Sequence, residues 1–65
     1  MIFTNIKRLA DEKGLSIKGI EAQVGLANGT ISKWKESEPS VINLNKVAQL
    51  LNVTLEELIK SEAEE

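Results

Sequence analysis

The chain of 65 residues contains no cysteine and no histidine, one proline, and two aromatic residues, a phenylalanine and a tryptophan. Without cysteine, neither a disulfide nor a thiolate metal site can hold the fold together. Without histidine, the commonest metal ligand and general base is missing. No pair of carboxylates lies within an apolar run, the environment that prepares a carboxyl group for acid–base chemistry. We therefore expect no enzyme, no metal site and no cofactor.

Long hydrophobic runs are also missing. The apolar runs reach only three or four residues, too few for a segment that spans a membrane. The N-terminal Met1-Ile2-Phe3 is followed by an amphipathic pattern and lacks the apolar stretch of a secretory signal. The length fits one small domain, which buries only about 60% of its unfolded surface. We expect a cytoplasmic protein with a domain at residues 1–60.

The net charge of −2 is unevenly distributed. Residues 1–12 are balanced, residues 13–46 carry five lysines against three glutamates, and residues 54–65 carry one lysine against five glutamates. Since charges act over roughly 10 Å at moderate salt, the weakly basic middle can still meet a phosphate backbone. Residues 61–65 are expected to form a frayed acidic tail.

Apolar residues recur at spacings of three and four, which predicts five amphipathic helices in a compact all-α fold. We place them at about residues 2–13, 17–24, 28–36 and 41–51, with the last beginning after Thr54. Gly14 and Gly25 suit left-handed helix ends, as does Asn52, and Ser16 and Ser40 suit N-caps. Thr54 and Glu57 have the spacing of a capping box. The residues expected to face the core include Phe3, Ile6, Leu9, Ala10, Leu44, Val47, Ala48, Leu51, Leu58 and Ile59.

The second and third predicted helices, SIKGIEAQVGLANGTISKW, form two short amphipathic segments joined at Gly25. A corner of this kind can place its second helix in the major groove of DNA. A competing interpretation is a β-hairpin at Asn28-Gly29, the strongest short hairpin signal. Because every flanking segment has a helical pattern and an isolated hairpin is marginal in water, we favour the helical interpretation.

About 60 of the 65 residues together resemble the lambda-repressor-like helix-turn-helix domains of the Cro/CI (XRE) family, especially short phage or Gram-positive bacterial regulators. The matching stretches are NIKRL, KGLSIKGIEAQVGLANGTISKWK and NLNKVAQLLNVTLEEL. The resemblance implies a compact five-helix domain whose second and third helices form the helix-turn-helix. It also implies sequence-specific binding of double-stranded DNA, with the third helix in the major groove.

The resemblance carries specific roles onto this chain. The base-contacting positions are Asn28, Gly29, Thr30, Ser32 and Lys33. The phosphate-contacting positions are Ser16, Ile17, Lys18, Lys35, Asn43, Asn45 and Lys46. The chemistry agrees, since Asn pairs with adenine, Lys donates to guanine and the Thr methyl meets a thymine methyl. The alternative interpretation of Asn28 and Gly29 is ordinary turn chemistry, which we consider the weaker one.

Several positions depart from the family pattern. Glu21 stands where relatives place Ala, and we expect its side chain to bend outward. Ile17 and Ala27 replace polar residues that contact phosphate or cap the recognition helix. An Arg–Glu pair of the family is replaced by Ala10 and Lys35, which leaves Lys35 available to the DNA backbone. Trp34 is expected to anchor the third helix in the core, and Phe3 is expected there too.

The leading hypothesis is a DNA-binding transcriptional regulator, a repressor that covers a promoter. One such unit reads few base pairs, so we expect a homodimer on DNA that is weak in free solution. Ile42, Leu50 or the fifth helix can supply the contact between the two copies.

An antitoxin-like or anti-repressor protein-interaction module on the same fold is the alternative, motivated by the acidic tail. The chain can also be the DNA-reading part of a longer regulator. No small-molecule ligand is indicated.

Overall fold

A computed structural model describes residues 2–60 of the chain. Within that range the chain forms four α-helices, α1 (Ile2–Glu12), α2 (Ile17–Val24), α3 (Val41–Leu51) and α4 (Leu55–Ile59), and one 3₁₀-helix (Ser32–Lys35). Residues 2–60 contain no β-strand, so the all-α class is confirmed and the hairpin interpretation is wrong. The tail predicted at residues 61–65 lies outside the described residues.

The predicted helix ends are confirmed by backbone geometry and hydrogen bonds. Ser16 Oγ accepts a hydrogen bond from the N–H of Gly19, and Ser40 Oγ accepts one from the N–H of Asn43, as N-cap residues do. Thr54 caps α4 in the same way, through the N–H of Glu57. These side chains satisfy N–H groups that the first turn of a helix leaves without an intrahelical partner. Local chemistry thus defines where α2, α3 and α4 begin.

The predicted third α-helix at residues 28–36 is not observed as such. Residues 28–31 form turns, and only Ser32–Lys35 is regular, as a 3₁₀-helix. Gly29 has a φ of +90°, a left-handed conformation that a right-handed helix cannot contain. Helical geometry therefore cannot begin before Thr30, and helical pieces this short commonly take the 3₁₀ form. Residues 2–60 thus hold four α-helices rather than five.

The core is built from one face of each helix, and most of the predicted positions are confirmed. Ile59 is an exception, since it is 52% exposed while its neighbour Leu58 is fully buried. Helix α4 spans only Leu55–Ile59, so one side chain at its end faces the core and the next faces outward. Phe3 is partly buried at the margin of the core. The fully enclosed apolar residues are Ile6, Ala10, Ile20, Ile31, Val47, Leu51 and Leu58.

The four α-helices and the 3₁₀-helix pack together mainly through α1 and α3. Helix α1 packs against α4 and the 3₁₀-helix, while α3 packs against α2 and α4. Asn5 of α1 donates from Nδ2 to the carbonyls of Leu58 and Lys60, both at 2.7 Å, and so ties α1 to the end of α4. The segment between α2 and α3 contacts α1 through its 3₁₀-helix, and its residues Asn28, Ser32 and Lys33 are exposed. None of the helices within residues 2–60 is both long and apolar enough to cross a membrane.

Candidate nucleic-acid interface

The corner between α2 and the following segment is a tight left-handed turn. Gly25 has a φ of +81°, and its N–H donates to the carbonyl of Glu21. The N–H of Leu26 donates to the same carbonyl at 2.8 Å. This pairing satisfies a carbonyl that the end of a helix leaves free, and it reverses the chain within two residues. The predicted turn at Gly25 is confirmed, and it sets the start of the next segment beside α2.

The Glu21 side chain lies inside the corner, so the expectation that it bends outward is wrong. Glu21 is only 2% exposed. One carboxylate oxygen accepts from the N–H of Gly29 at 3.0 Å and the other accepts from the N–H of Ile31 at 2.8 Å. A carboxylate is favoured where several backbone N–H groups converge, because they carry partial positive charge. The long side chain is therefore accommodated by hydrogen bonding rather than by exposure.

Two buried side chains hold the segment against the core. Ile31 is fully buried and Trp34 is 7% exposed, which confirms the predicted role of Trp34 as an anchor. In a 3₁₀-helix, side chains three residues apart lie on the same face, so Ile31 and Trp34 both point inward. Ser32 and Lys33, which lie between them, are exposed. The same spacing of three also fits an α-helix, which is why periodicity could not distinguish the two forms.

The residues predicted to contact bases differ in accessibility. Asn28, Ser32 and Lys33 are exposed, whereas Gly29 and Thr30 are partly buried. The N–H of Thr30 donates to the carbonyl of Ala27 at 3.1 Å, which keeps the turn closed. Three polar side chains on the outer side of one short segment offer an amide, a hydroxyl and an ammonium group. These groups can donate or accept hydrogen bonds at base edges.

The start of α2 presents Ser16, Ile17 and Lys18. Ser16 and Lys18 are exposed, while Ile17 is partly buried and packs against the core. The hydroxyl of Ser16 already serves the N–H of Gly19 at 2.9 Å. A contribution of Ile17 to anion binding would therefore come from its backbone N–H, since the side chain is apolar and faces inward.

Lys35 makes a contact that the sequence did not predict. Its Nζ lies 4.8 Å from the centre of the Phe3 ring, a cation–π contact that connects the 3₁₀-helix to α1. The residue is exposed, and its predicted contact with the DNA backbone stays a prediction. A cation–π contact is worth about 0.5–1 kcal/mol at an exposed site. Lys35 thus helps to join two elements as well as carrying charge.

The start of α3 contributes the remaining predicted phosphate contacts. Asn45 and Lys46 are exposed, and Asn43 is partly buried, with its backbone N–H on Ser40 Oγ at 3.1 Å. Beside them, Val41 and Ile42 are 70% and 71% exposed. An open groove of about 630 Å³ begins here. It is lined in part by Ile2, Trp34, Pro39, Val41, Leu55 and Ile59.

The charges of the molecule are partly neutralised within α1. Lys7 pairs with Asp11 at 3.0 Å, and Arg8 pairs with Glu12 at 3.4 Å, each one helical turn apart. Between residues 13 and 46, burial of Glu21 leaves Glu36 and Glu38 as the exposed acidic side chains. The exposed surface of that stretch is therefore more basic than the sequence count indicates. Residues 2–60 contain no cluster of acidic side chains suited to a metal ion.

Residues 6–58 match the model of a known protein family described as helix-turn-helix. The match covers most of the chain and includes α2, the corner at Gly25 and the 3₁₀-helix. No curated protein matches the chain. No solved structure matches it either.

Proposed function

The chain belongs to the helix-turn-helix family of the Cro/CI (XRE) type, a family of DNA-binding transcription regulators, and we propose that it is a sequence-specific repressor. In this proposal it reads the major groove of double-stranded DNA with the segment from Asn28 to Lys35. The observation that carries the proposal is an exposed polar edge, Asn28, Ser32 and Lys33, on a segment whose Ile31 and Trp34 are buried. The turn and 3₁₀-helix take the place of the third helix of the lambda-repressor-like fold.

Base recognition is assigned to Asn28, Gly29, Thr30, Ser32 and Lys33. Asn28 can form two hydrogen bonds with adenine, and Lys33 can donate to the acceptors of guanine. Gly29 contributes no side chain, so the backbone can approach the duplex closely. Thr30 is partly buried, and its methyl group is the assigned contact for a thymine methyl. Each good bidentate pair contributes about 1–3 kcal/mol of discrimination between bases.

Phosphate binding is assigned to groups on either side of this segment. Ser16, Ile17 and Lys18 lie at the start of α2, where backbone N–H groups favour an anion. The other assigned residues are Lys35, Asn43, Asn45 and Lys46. Support comes from the exposure of the three lysines and from the burial of Glu21, which removes one carboxylate from the surface. These contacts orient the protein and carry no sequence information themselves.

Specific repression requires more base pairs than one segment can read, so the proposed form on DNA is a homodimer. Two copies would occupy half-sites about one helical turn apart. Val41, Ile42 and Ile59 supply exposed apolar surface. The open groove lined by the 3₁₀-helix, the loop after it and the starts of α1, α3 and α4 adjoins Val41 and Ile59. A second copy is the proposed occupant, because each copy would bring the same apolar surface to a two-fold axis. In this proposal the two copies associate weakly in free solution and form the dimer on the operator. The dimer is a cytoplasmic regulator that represses transcription by covering the promoter.

The direct test measures binding to a selected duplex by fluorescence anisotropy as a function of salt. With several phosphate contacts, log K should fall with log salt at about −0.9 per contact. A slope near zero would exclude the proposal. A stable complex with another protein, together with no retardation of any duplex at low salt, would favour the protein-interaction alternative.

The variant Lys33→Ala tests whether Lys33 contributes to base preference through a direct contact or only through its positive charge. We expect this variant to lose about 1–3 kcal/mol of preference at one base pair while keeping most of its affinity for other duplexes. Lys7→Ala is the matched control, since it removes the same charge from a lysine already paired with Asp11. Equal loss of preference in both variants would show that net charge, not contact by Lys33, underlies the effect.

A further inference from the structure

The proposed function uses the burial of Glu21 but assigns no role to the hydrogen bonds of its carboxylate. The side chain extends from α2 and joins two N–H groups on the far side of the corner, those of Gly29 and Ile31. The N–H between them, on Thr30, is taken by the carbonyl of Ala27. Three successive N–H groups at the start of the segment are thus all satisfied. Two of them depend on a single side chain from another helix.

The segment has no cap of its own. A helix is usually capped by Ser, Thr, Asp or Asn, but the residue before the 3₁₀-helix is Ile31, which makes no capping hydrogen bond through its side chain. Ala27, which stands before the turn at residues 28–31, has no side-chain acceptor either. Of the N–H groups of residues 29–31, only that of Thr30 has a backbone acceptor, because the other two donate to Glu21. The carboxylate replaces the missing cap, and it does so from α2 rather than from within the segment.

We infer that Glu21 is the positioning residue of the DNA-reading segment. By holding Gly29 and Ile31 it fixes Asn28, Ser32 and Lys33 relative to the start of α2, where phosphate is bound. The inference rests on the proposed function. A segment released from Glu21 would have to be ordered when DNA binds, and the cost of that ordering would lower affinity.

The sign of the effect distinguishes this role from simple electrostatics. Removing a negative charge near DNA should strengthen binding if the charge acts only by repulsion. Glu21→Gln removes the charge, keeps the shape, and leaves one acceptor where two N–H groups require two. Positioning by Glu21 therefore predicts weaker binding, roughly tenfold or more, because hydrogen bonds to charged groups are among the stronger ones.

The experiment compares Glu21→Gln with Glu36→Gln, which makes the same charge change at an exposed residue next to the 3₁₀-helix. Anisotropy measures affinity for the selected duplex, and urea unfolding measures stability. Glu36→Gln should bind as well as the unmodified protein or slightly better. Adding Ala27→Ser to Glu21→Gln should recover part of the affinity, since a Ser just before the turn supplies a side-chain acceptor for the N–H groups that follow. Loss of affinity without recovery by Ala27→Ser would contradict the positioning role.

Amide hydrogen exchange in the unmodified free protein tests the contact without any variant and without DNA. The amides of Gly29 and Ile31 should be protected, and in Glu21→Gln their exchange should rise while the amides of α1 and α3 remain protected. Unprotected amides at both positions in the unmodified protein would overturn the inference, as would Glu21→Gln binding DNA as well as the unmodified protein. If the unmodified protein bound no duplex, the proposed function would fail and the inference with it. Normal binding by Glu21→Gln would remove the inference alone.

Discussion

Asn5 is a buried polar side chain whose contribution to stability can be worked out from its contacts. Its Nδ2 donates to the carbonyls of Leu58 and Lys60 at 2.7 Å, and the residue is fully buried. These carbonyls lie at the C-terminal end of α4, where a helix leaves its acceptors without intrahelical partners. Asn5, a residue of α1, therefore caps the C-terminal end of α4 and joins the first helix to the last.

Asn5→Ala removes both donors. Each hydrogen bond contributes about 1 kcal/mol net, and the truncated side chain leaves a small cavity, so the expected loss is about 2–3 kcal/mol in the free energy of unfolding. A domain of this length has about 3–10 kcal/mol in total. The midpoint of urea unfolding, followed by far-UV circular dichroism at unchanged m-value, measures the loss.

Asn5→Asp makes the test sharper because it keeps the shape and removes the donors. An ionised carboxylate accepts only, so it would face two carbonyl oxygens with no hydrogen to share. We expect Asn5→Asp to be less stable than Asn5→Ala, by at least about 1 kcal/mol. Asn45→Asp, an exposed position on α3, is the control and should change stability by less than about 0.5 kcal/mol. If Asn5→Asp were as stable as Asn5→Ala, side-chain volume rather than hydrogen bonding would account for Asn5, and the reasoning would be refuted.

Two further substitutions test the packing and the capping separately. Leu58→Ala, at the fully buried position of α4, should lower the free energy of unfolding by about 2–5 kcal/mol in urea unfolding, and a loss below about 1 kcal/mol would mean that α4 is not docked. Ser40→Ala should cost about 1 kcal/mol through loss of the α3 cap, measured as a fall in melting temperature, whereas an unchanged melting temperature would show that Ser40 does not cap α3.

Much of the fold could be predicted because local signals and core contacts agree. The bounds of α2 and α3 follow from Ser16, Ser40 and Asn52, whose capping chemistry is local and independent of tertiary packing. The inward faces follow from the spacing of apolar residues. The prediction failed at the end of α4, where Ile59 was expected in the core and is exposed. A helix of little more than one turn has too few residues for the spacing of apolar side chains to define its inward face.

The candidate site was predicted less completely because its conformation depends on a contact between distant residues. A spacing of three between Ile31 and Trp34 does not separate an α-helix from a 3₁₀-helix, and the left-handed Gly29 decided the outcome. Glu21 was misplaced because a charged side chain is usually exposed. A usable signal was present in the sequence, since the segment lacks its own cap at Ala27 while an acceptor stands six residues earlier.

Selection of binding sites from random duplexes tests most directly whether the segment from Asn28 to Lys35 reads DNA. We expect an enriched, two-fold symmetric site with half-sites about one helical turn apart. Lys33→Ala should relax the preference at one position in each half-site. Recovery of no preferred sequence, or of one left unchanged by Lys33→Ala and by Asn28→Ala, would contradict DNA reading by this segment.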